Sequence, residues 1–318
     1  MRGTRGAVAV PTGAGRAWGG IAAADLGVLM LASLAVSTSG PMIAALAAPA
    51  LAIAFWRNAF GAAVTAAAIS TRASKRAEFA SLTWRQILVT TGAGVLLAAH
   101  FACWTPSVSY TTVASATALV CAQPVWTALG SRLAGRAVSR ATWTGIGISL
   151  AAVVLLTGSD LAVSGRALTG DLLALVAGAL AAAYTGAGEV ARRTVSTGVY
   201  TSLCYGVCAL TLLIAALIGR VQLTGFDTEV WLRLVALTTT AQLLGHTLFN
   251  RVVGRVGATV VATAILFEVP GAAIIAAIFL HQHPPATAIP AGLLLLLGVF
   301  VVVRAEGARL AGHALPVD

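Results

Sequence analysis

Two ionisable side chains stand in stretches that are otherwise apolar. Arg57 follows Leu51-Ala-Ile-Ala-Phe-Trp56, and Glu268 sits between Ile265-Leu-Phe and Val269-Pro270. An arginine keeps its proton at any accessible pH, so it must meet a partner, water or an anion. A carboxyl held away from water can instead carry a proton. Two readings follow: a buried Arg57–Glu268 ion pair joining distant parts of the chain, or two groups lining one cavity, where Arg57 binds an anion or tunes Glu268 as a proton carrier. His100 and His246 also lie in apolar runs and titrate near neutrality, which suits a gate or relay as well as hydrogen-bonded packing. Trp56, Trp126 and Tyr184 are expected either to wall a cavity or to pack between helices.

The elements that must hold these residues are set by composition. Of 318 residues 58% are hydrophobic and 9% charged, against about 25% charged in soluble domains. Each span of a bilayer needs about 20 mostly apolar residues, and such runs fall near 19–37, 48–69, 86–104, 111–131, 141–158, 169–190, 198–219, 231–249, 257–280 and 287–304. Unbroken Ala, Leu and Val lack the alternation of barrel strands. The expectation is an all-α polytopic membrane protein of ten transmembrane helices. A charge at the centre of such a helix costs about 2.5–3.5 kcal/mol on insertion scales, which marks Arg57 and Glu268 as functional candidates.

The net charge of +10 comes from basic residues spread along the chain, with no basic, aromatic-interleaved patch, so no nucleic-acid partner is expected. Arg2, Arg5, Arg16, Arg72, Lys75, Arg76, Arg85, Arg132, Arg136, Arg140, Arg192, Arg193, Arg251, Arg255, Arg304 and Arg309 fall on one side of the ten spans, and only Arg166, Arg220 and Arg233 on the other. Cationic loops mark the cytoplasm, so both termini are expected there, in the plasma membrane. The arginines before the first apolar run read as the flank of a signal-anchor helix rather than a cleaved leader. Trp18, Trp84, Trp104, Trp143 and Trp231 fall at expected helix ends as an aromatic belt. Cys103, Cys121, Cys204 and Cys208 have no zinc spacing and read as buried small hydrophobes. His281 and His283 read as a solvated outer loop. Glu189 is spaced to pair with both Arg192 and Arg193, and Gly178, Ala182 and Gly186 form a small-residue stripe for close helix contact.

The chain repeats itself at an offset of 146. Ala116-Thr117-Ala118-Leu119 with Pro124 matches Ala262-Thr263-Ala264-Ile265 with Pro270, and His100 matches His246. A repeat of five spans places its second copy upside down, and the cationic loops invert in step. Each proline frees a carbonyl one turn earlier and is expected to kink its helix. Inverted repeats are characteristic of secondary transporters, whose site lies near the midplane where the halves meet.

A 5+5 inverted-topology repeat of short Ala/Leu/Gly-rich helices resembles the drug/metabolite transporter superfamily, and its EamA-type members in particular. The Ala-Thr-Ala…Pro segments carry the likeness, with later glycines at Gly145 and Gly292 and with Gly170-Asp171-Leu172-Leu173-Ala174-Leu175 resembling the opening of that family's second half. The family commonly ends the helix after the proline with Gly-Glu. Here Gly135-Arg136 and His281-Gln282 stand there, so both glutamates are missing. The resemblance implies residues 1–18 as a cytoplasmic segment, five-helix repeats over 19–158 and 169–304, and a cytoplasmic tail over 305–318. It also implies alternating access, often outward, for an unidentified small metabolite, amino-acid-like or drug-like, in a lipid bilayer, and it leaves a homodimer open. No phosphate-binding loop, zinc or hydrolase motif occurs, so no cofactor, metal or catalytic residue is expected. The alternatives are an intramembrane enzyme acting on a lipid or prenyl substrate and a lipid scramblase.

Overall fold

A computed structural model describes residues 21–135, 137–157, 164–282 and 288–313. Among them every regular element is helical: α1 (Ala23–Val36), α2 (Ser39–Ala44), α3 (Ala50–Ser70), α4 (Ala73–Ala80), α5 (Trp84–Tyr110), α6 (Val113–Val120), α7 (Gln123–Leu133), α8 (Arg140–Thr157), α9 (Gly165–Arg192), α10 (Thr197–Ile218), α11 (Thr228–Leu237), a π-helical segment (Thr238–His246), α12 (Thr247–Val256), α13 (Ala258–Ile265), α14 (Glu268–Phe279) and α15 (Ala288–His313). Among the described residues seven helical stretches are long and apolar enough to cross a membrane, including Ala23–Ala44, Val113–Leu133 and Ala258–Phe279, each of which joins two helices across a break. Lipid offers backbone groups no partner, so a spanning segment must satisfy them internally. Polar caps sit at the ends, where the first turn leaves N–H groups over. Thr83 and Gln86 form a reciprocal capping box on α5, and Ser164 accepts the Ala167 N–H at the start of α9.

Two breaks shape the centre. Proline has no N–H to donate and clashes with the carbonyl four residues back, so neither α6 nor α13 runs straight on. Both pass through tightened turns in which Ala122 donates to Leu119 and Val125 to Ala122, and in which Phe267 donates to Ala264 and Val269 to Leu266. Pro124 lies in the first turn of α7 and Pro270 in that of α14. Beyond each, the helix ends on a left-handed residue: Gly135 (φ 75°) after α7 and His281 (φ 54°) after α14.

The π segment has a local cause as well. Thr238, Thr239 and Thr240 each turn their hydroxyl back onto the carbonyl four residues earlier, a bond that competes with the helical ladder. The Thr247 hydroxyl then reaches the Gln242 carbonyl. Long helices pack in pairs: α5 on α9, α3 on α10, α8 on α15, and α1 on the π segment and α12. Glycines allow the closest approaches. The Cβ position of Gly94 on α5 is 2.7 Å from the Cys204 carbonyl, and that of Gly145 on α8 is 2.7 Å from the Gly298 carbonyl.

Several expectations are corrected. α5 and α12 run six or seven residues past the span ends expected at 104 and 249, and α15 runs on to His313. Trp104 is therefore inside α5 and buried, not at a membrane belt, whereas Trp84 is 74% exposed. Arg192 does not pair with Glu189. It donates to the Asn250 and Val195 carbonyls and the Thr197 hydroxyl, leaving Glu189 to Arg193 at 2.6 Å and to the Ala258 N–H at 2.9 Å. Asp25 of α1 meets Arg255. Of the two glycines in the small-residue stripe Gly178 is crowded, whereas nothing lies within 4 Å of a Cβ on Gly186. Trp18, Arg136 and His283 lie outside the described residues.

Candidate functional site

Arg57 is fully buried in α3. Its Nε donates to Gln242 Oε1 at 3.2 Å and its Nη1 to Ser39 Oγ at 3.1 Å. The guanidinium carbon lies 4.2 Å from the centre of the Phe101 ring, and a desolvated cation over a ring face gains about 2 kcal/mol. Gln242 in turn donates to Asn58 Oδ1 at 3.0 Å, and Asn58 to the Ala54 carbonyl. Ser39, Arg57, Gln242 and Asn58 thus form one polar chain through three helical elements. No carboxylate comes within 4.0 Å of Arg57: the ion pairs among the described residues are Lys75–Glu78, Arg193–Glu189, Arg233–Glu229 and Arg255–Asp25. The ion-pair reading of Arg57 and Glu268 is therefore not what the structure holds. Arg57 Nη2 has no hydrogen-bond partner among the described residues. A buried charge left so costs several kcal/mol.

Glu268 opens α14, buried at 7% exposure. The Cys121 thiol, at the α6–α7 break, lies 3.9 Å from Glu268 Oε2 and 3.5 Å from the Ile265 carbonyl. The two broken helices therefore cross and touch at their breaks. Neighbouring elements support these points: Ser33 of α1 donates to the Ala264 carbonyl at 2.8 Å, and a Cβ on Gly178 would stand 2.8 Å from the Val120 carbonyl.

Beside the crossing lies a cavity of about 40 Å³, lined among others by Ser39, His100, Gln123, Tyr184, His246 and Glu268. That is room for about three waters, so the helices must part before a metabolite can enter. Both histidines face this one cavity, although the sequence places them off-centre in opposite directions. The overrun of α5 and α12 is the reason, because it moves His100 and His246 toward the middle of their helices. His100 Nδ1 lies 2.9 Å from the Ala177 carbonyl, and both imidazoles flank Phe101. Tyr184 shares hydrogen bonds with the Asn250 amide, which also reaches Tyr205.

The two tryptophans are elsewhere. Trp56 donates to the Leu223 carbonyl at 2.7 Å and packs edge-on against Trp231 at 5.0 Å, in an aromatic cluster outside the cavity. Trp126 lines a separate groove of about 730 Å³ between α7, the end of α9 and the start of α13. The sequence reading missed Ser39, Gln123, Gln242 and Asn250. A signal existed: Thr238, Gln242, His246 and Asn250 recur every four residues on one face of an apolar stretch. Among the described residues no three His, Cys, Asp or Glu side chains converge as a metal site.

An all-helical chain with membrane-length apolar segments and a polar chamber at two crossed helix breaks defines a multi-pass membrane protein of transporter type. The model of the EamA-like transporter family matches it twice, over residues 24–158 and 168–304. The chain belongs to that family. No curated relative matches the sequence. Among solved structures, a crystal structure titled only as that of a protein is similar over 92% of this chain and 99% of its own, with a TM-score of 0.68 and 19% identity. That likeness speaks to the fold.

Proposed function

We propose that the chain is a secondary transporter, an exporter or exchanger of a small metabolite that works by alternating access around the cavity beside Glu268. The convergence of buried polar side chains on the crossing of two broken helices carries this reading. Discontinuous helices are where such transporters place their sites, because the breaks free backbone groups at membrane depth. In this reading ten spans form a 5+5 inverted repeat, 19–158 and 169–304, with both termini in the cytoplasm of a plasma-membrane protein. Helix pairing supports it. Exchanging each span for its counterpart five later maps α5–α9 onto the pair of α1 with the π segment and α12, and returns α3–α10, α8–α15 and the α6–α7/α13–α14 crossing to themselves.

Glu268 is the proton carrier in this proposal, with His100 and His246 facing it across the cavity as relay or gate and Pro124 and Pro270 setting the breaks. Tyr184 closes the same chamber; Trp56 supports α3 from outside it. Purified protein in proteoliposomes tests the class: saturable counterflow of a solute supports transport, and product formation without flux would mean an intramembrane enzyme. A Glu268→Gln variant tests the coupling, since an unchanged rate and pH profile would remove the proton from the cycle. Labelling that finds the two termini on opposite faces would end the ten-span topology.

A further inference from the structure

We propose that the transported solute is a small oxyanion, a metabolite bearing a carboxylate or phosphate group, and that Arg57 is its charge partner. This rests on the transporter reading of the same chamber. Arg57 is wholly buried, yet its contacts are neutral: a serine hydroxyl, a glutamine carbonyl and a phenylalanine face. Asp25, Glu78, Glu189 and Glu229 each have a basic partner of their own. A guanidinium has five N–H groups in a planar fork. The bonds to Gln242 and Ser39 use one on Nε and one on Nη1. The two on Nη2 and the second on Nη1 are left to donate to the oxygens of a carboxylate or phosphate. Phe101 covers one face of the group. Ser39 spans the remaining distance, because it both takes Arg57 Nη1 and lines the cavity.

A second polar side chain faces the same space. Gln123 lines the cavity, is buried at 4% exposure, and its Oε1 has no partner. That oxygen is an acceptor, so it would meet an N–H or O–H of the solute rather than its anionic group, and the imidazoles of His100 and His246 face the same space.

The test is thermal stabilisation of the detergent-purified full chain by sodium pyruvate, succinate and phosphate, against sodium chloride at equal ionic strength, choline chloride and glycerol. At least one oxyanion is expected to raise the melting temperature saturably, and the responses to the two carboxylates and to phosphate separate the headgroups. Arg57→Gln is expected to weaken that effect by about 100-fold, with Arg57→Lys retaining part of it. Gln242→Glu supplies an internal carboxylate against Arg57 Nε and keeps the protein testable should Arg57→Gln fail to fold. It is expected to raise the melting temperature of the unliganded protein and to weaken the oxyanion by tenfold or more. Stabilisation by choline or glycerol alone, or oxyanion affinity unmoved in both Arg57→Gln and Gln242→Glu, overturns the proposal. Saturable counterflow of a cation or neutral solute would overturn it while leaving the transporter reading intact. Arg57-dependent oxyanion binding without any flux would do the reverse.

Discussion

Cys121 and Glu268 touch across the molecule: the thiol at the break between α6 and α7 lies 3.9 Å from the carboxylate that opens α14, and 3.5 Å from the Ile265 carbonyl. Two helix interruptions, 146 residues apart in their sequence signature, are thereby stacked at one point. If alternating access works by parting these breaks, tying them together must stop it. Ile265→Cys puts a second thiol on the residue whose carbonyl the Cys121 thiol touches, the pair to be joined by oxidation or by a short bifunctional thiol reagent. Oxidation is expected to reduce counterflow to background and dithiothreitol to restore it. Full flux in the cross-linked protein would show that the breaks move as one body.

Gly178 is held by backbone rather than by flexible side chains. Its Cβ position meets the Val120 and Leu119 carbonyls at 2.8 and 3.2 Å, the carbonyls at the break, whereas Gly186 on the same helix meets nothing within 4 Å. Overpacking of this kind costs about 1–3 kcal/mol. Gly178→Val should lower the melting temperature, while Gly186→Ala should leave it unchanged or raise it slightly, because alanine is the better helix former. Equal effects at the two positions would mean that α9 does not lean on the break.

Much of this architecture was legible in the sequence, because apolar run length, proline position and the 146-residue repeat are direct readouts of what lipid and helix geometry permit. Pro124 and Pro270 marked both breaks. The chemistry around them was less legible. Arg57 and Glu268 stand out by charge, but their environment depends on neutral residues such as Ser39 and Gln242, which a search for charges passes over. His100 and His246 meet at one cavity, and α5 and α12 continue past the apolar stretches that define their expected spans. Trp56 and Trp126 could not be separated from cavity walls by spacing alone, since which face of a helix meets which neighbour is set by packing.

Arg192 and Arg193 are adjacent in sequence and differ in role. Arg192 forks onto the Asn250 and Val195 carbonyls and the Thr197 hydroxyl, clamping the end of α9 to α12 and to the start of α10. Arg193 holds an exposed pair with Glu189. An ammonium cannot reproduce a planar fork, so Arg192→Lys is expected to destabilise by about 1–3 kcal/mol. Arg193→Lys keeps a surface pair worth about 0–1 kcal/mol and should be near neutral. Thermal unfolding of the two variants side by side checks the assignment.

Glu78 ties α4 to the turn before α10, accepting from Lys75 at 2.8 Å and from the Ser196 N–H at 2.6 Å. Partial burial works to raise its pKa, but the bonds from Lys75 and Ser196 outweigh it and the carboxyl sits below its ordinary value. A carboxyl with a depressed folded pKa contributes stability that is fully present above its unfolded value of about 4.3, and that contribution is lost as the pH falls through the folded value. Glu78→Gln should therefore narrow its stability gap to the parent as the pH drops below about 4. A gap that stays constant down to pH 3 would mean the contact contributes nothing through charge.

His281 closes α14 in the left-handed region at φ 54°, at the place where its counterpart 146 residues earlier, Gly135, closes α7 at φ 75°. The turn is a genuine cap: the Gln282 N–H returns to the Ala276 carbonyl at 3.2 Å, which also takes the Leu280 N–H at 2.9 Å. Glycine adopts this conformation without cost, whereas a Cβ crowds the following carbonyl by about 1–2 kcal/mol. Glycine also gains freedom in the unfolded chain, which offsets part of the relief. His281→Gly is therefore expected to stabilise the protein by about 0.5–1 kcal/mol, read as a higher melting temperature. His281→Ala keeps the Cβ and should give no such gain. If alanine stabilises as well as glycine does, the imidazole and not the backbone was the source of the strain.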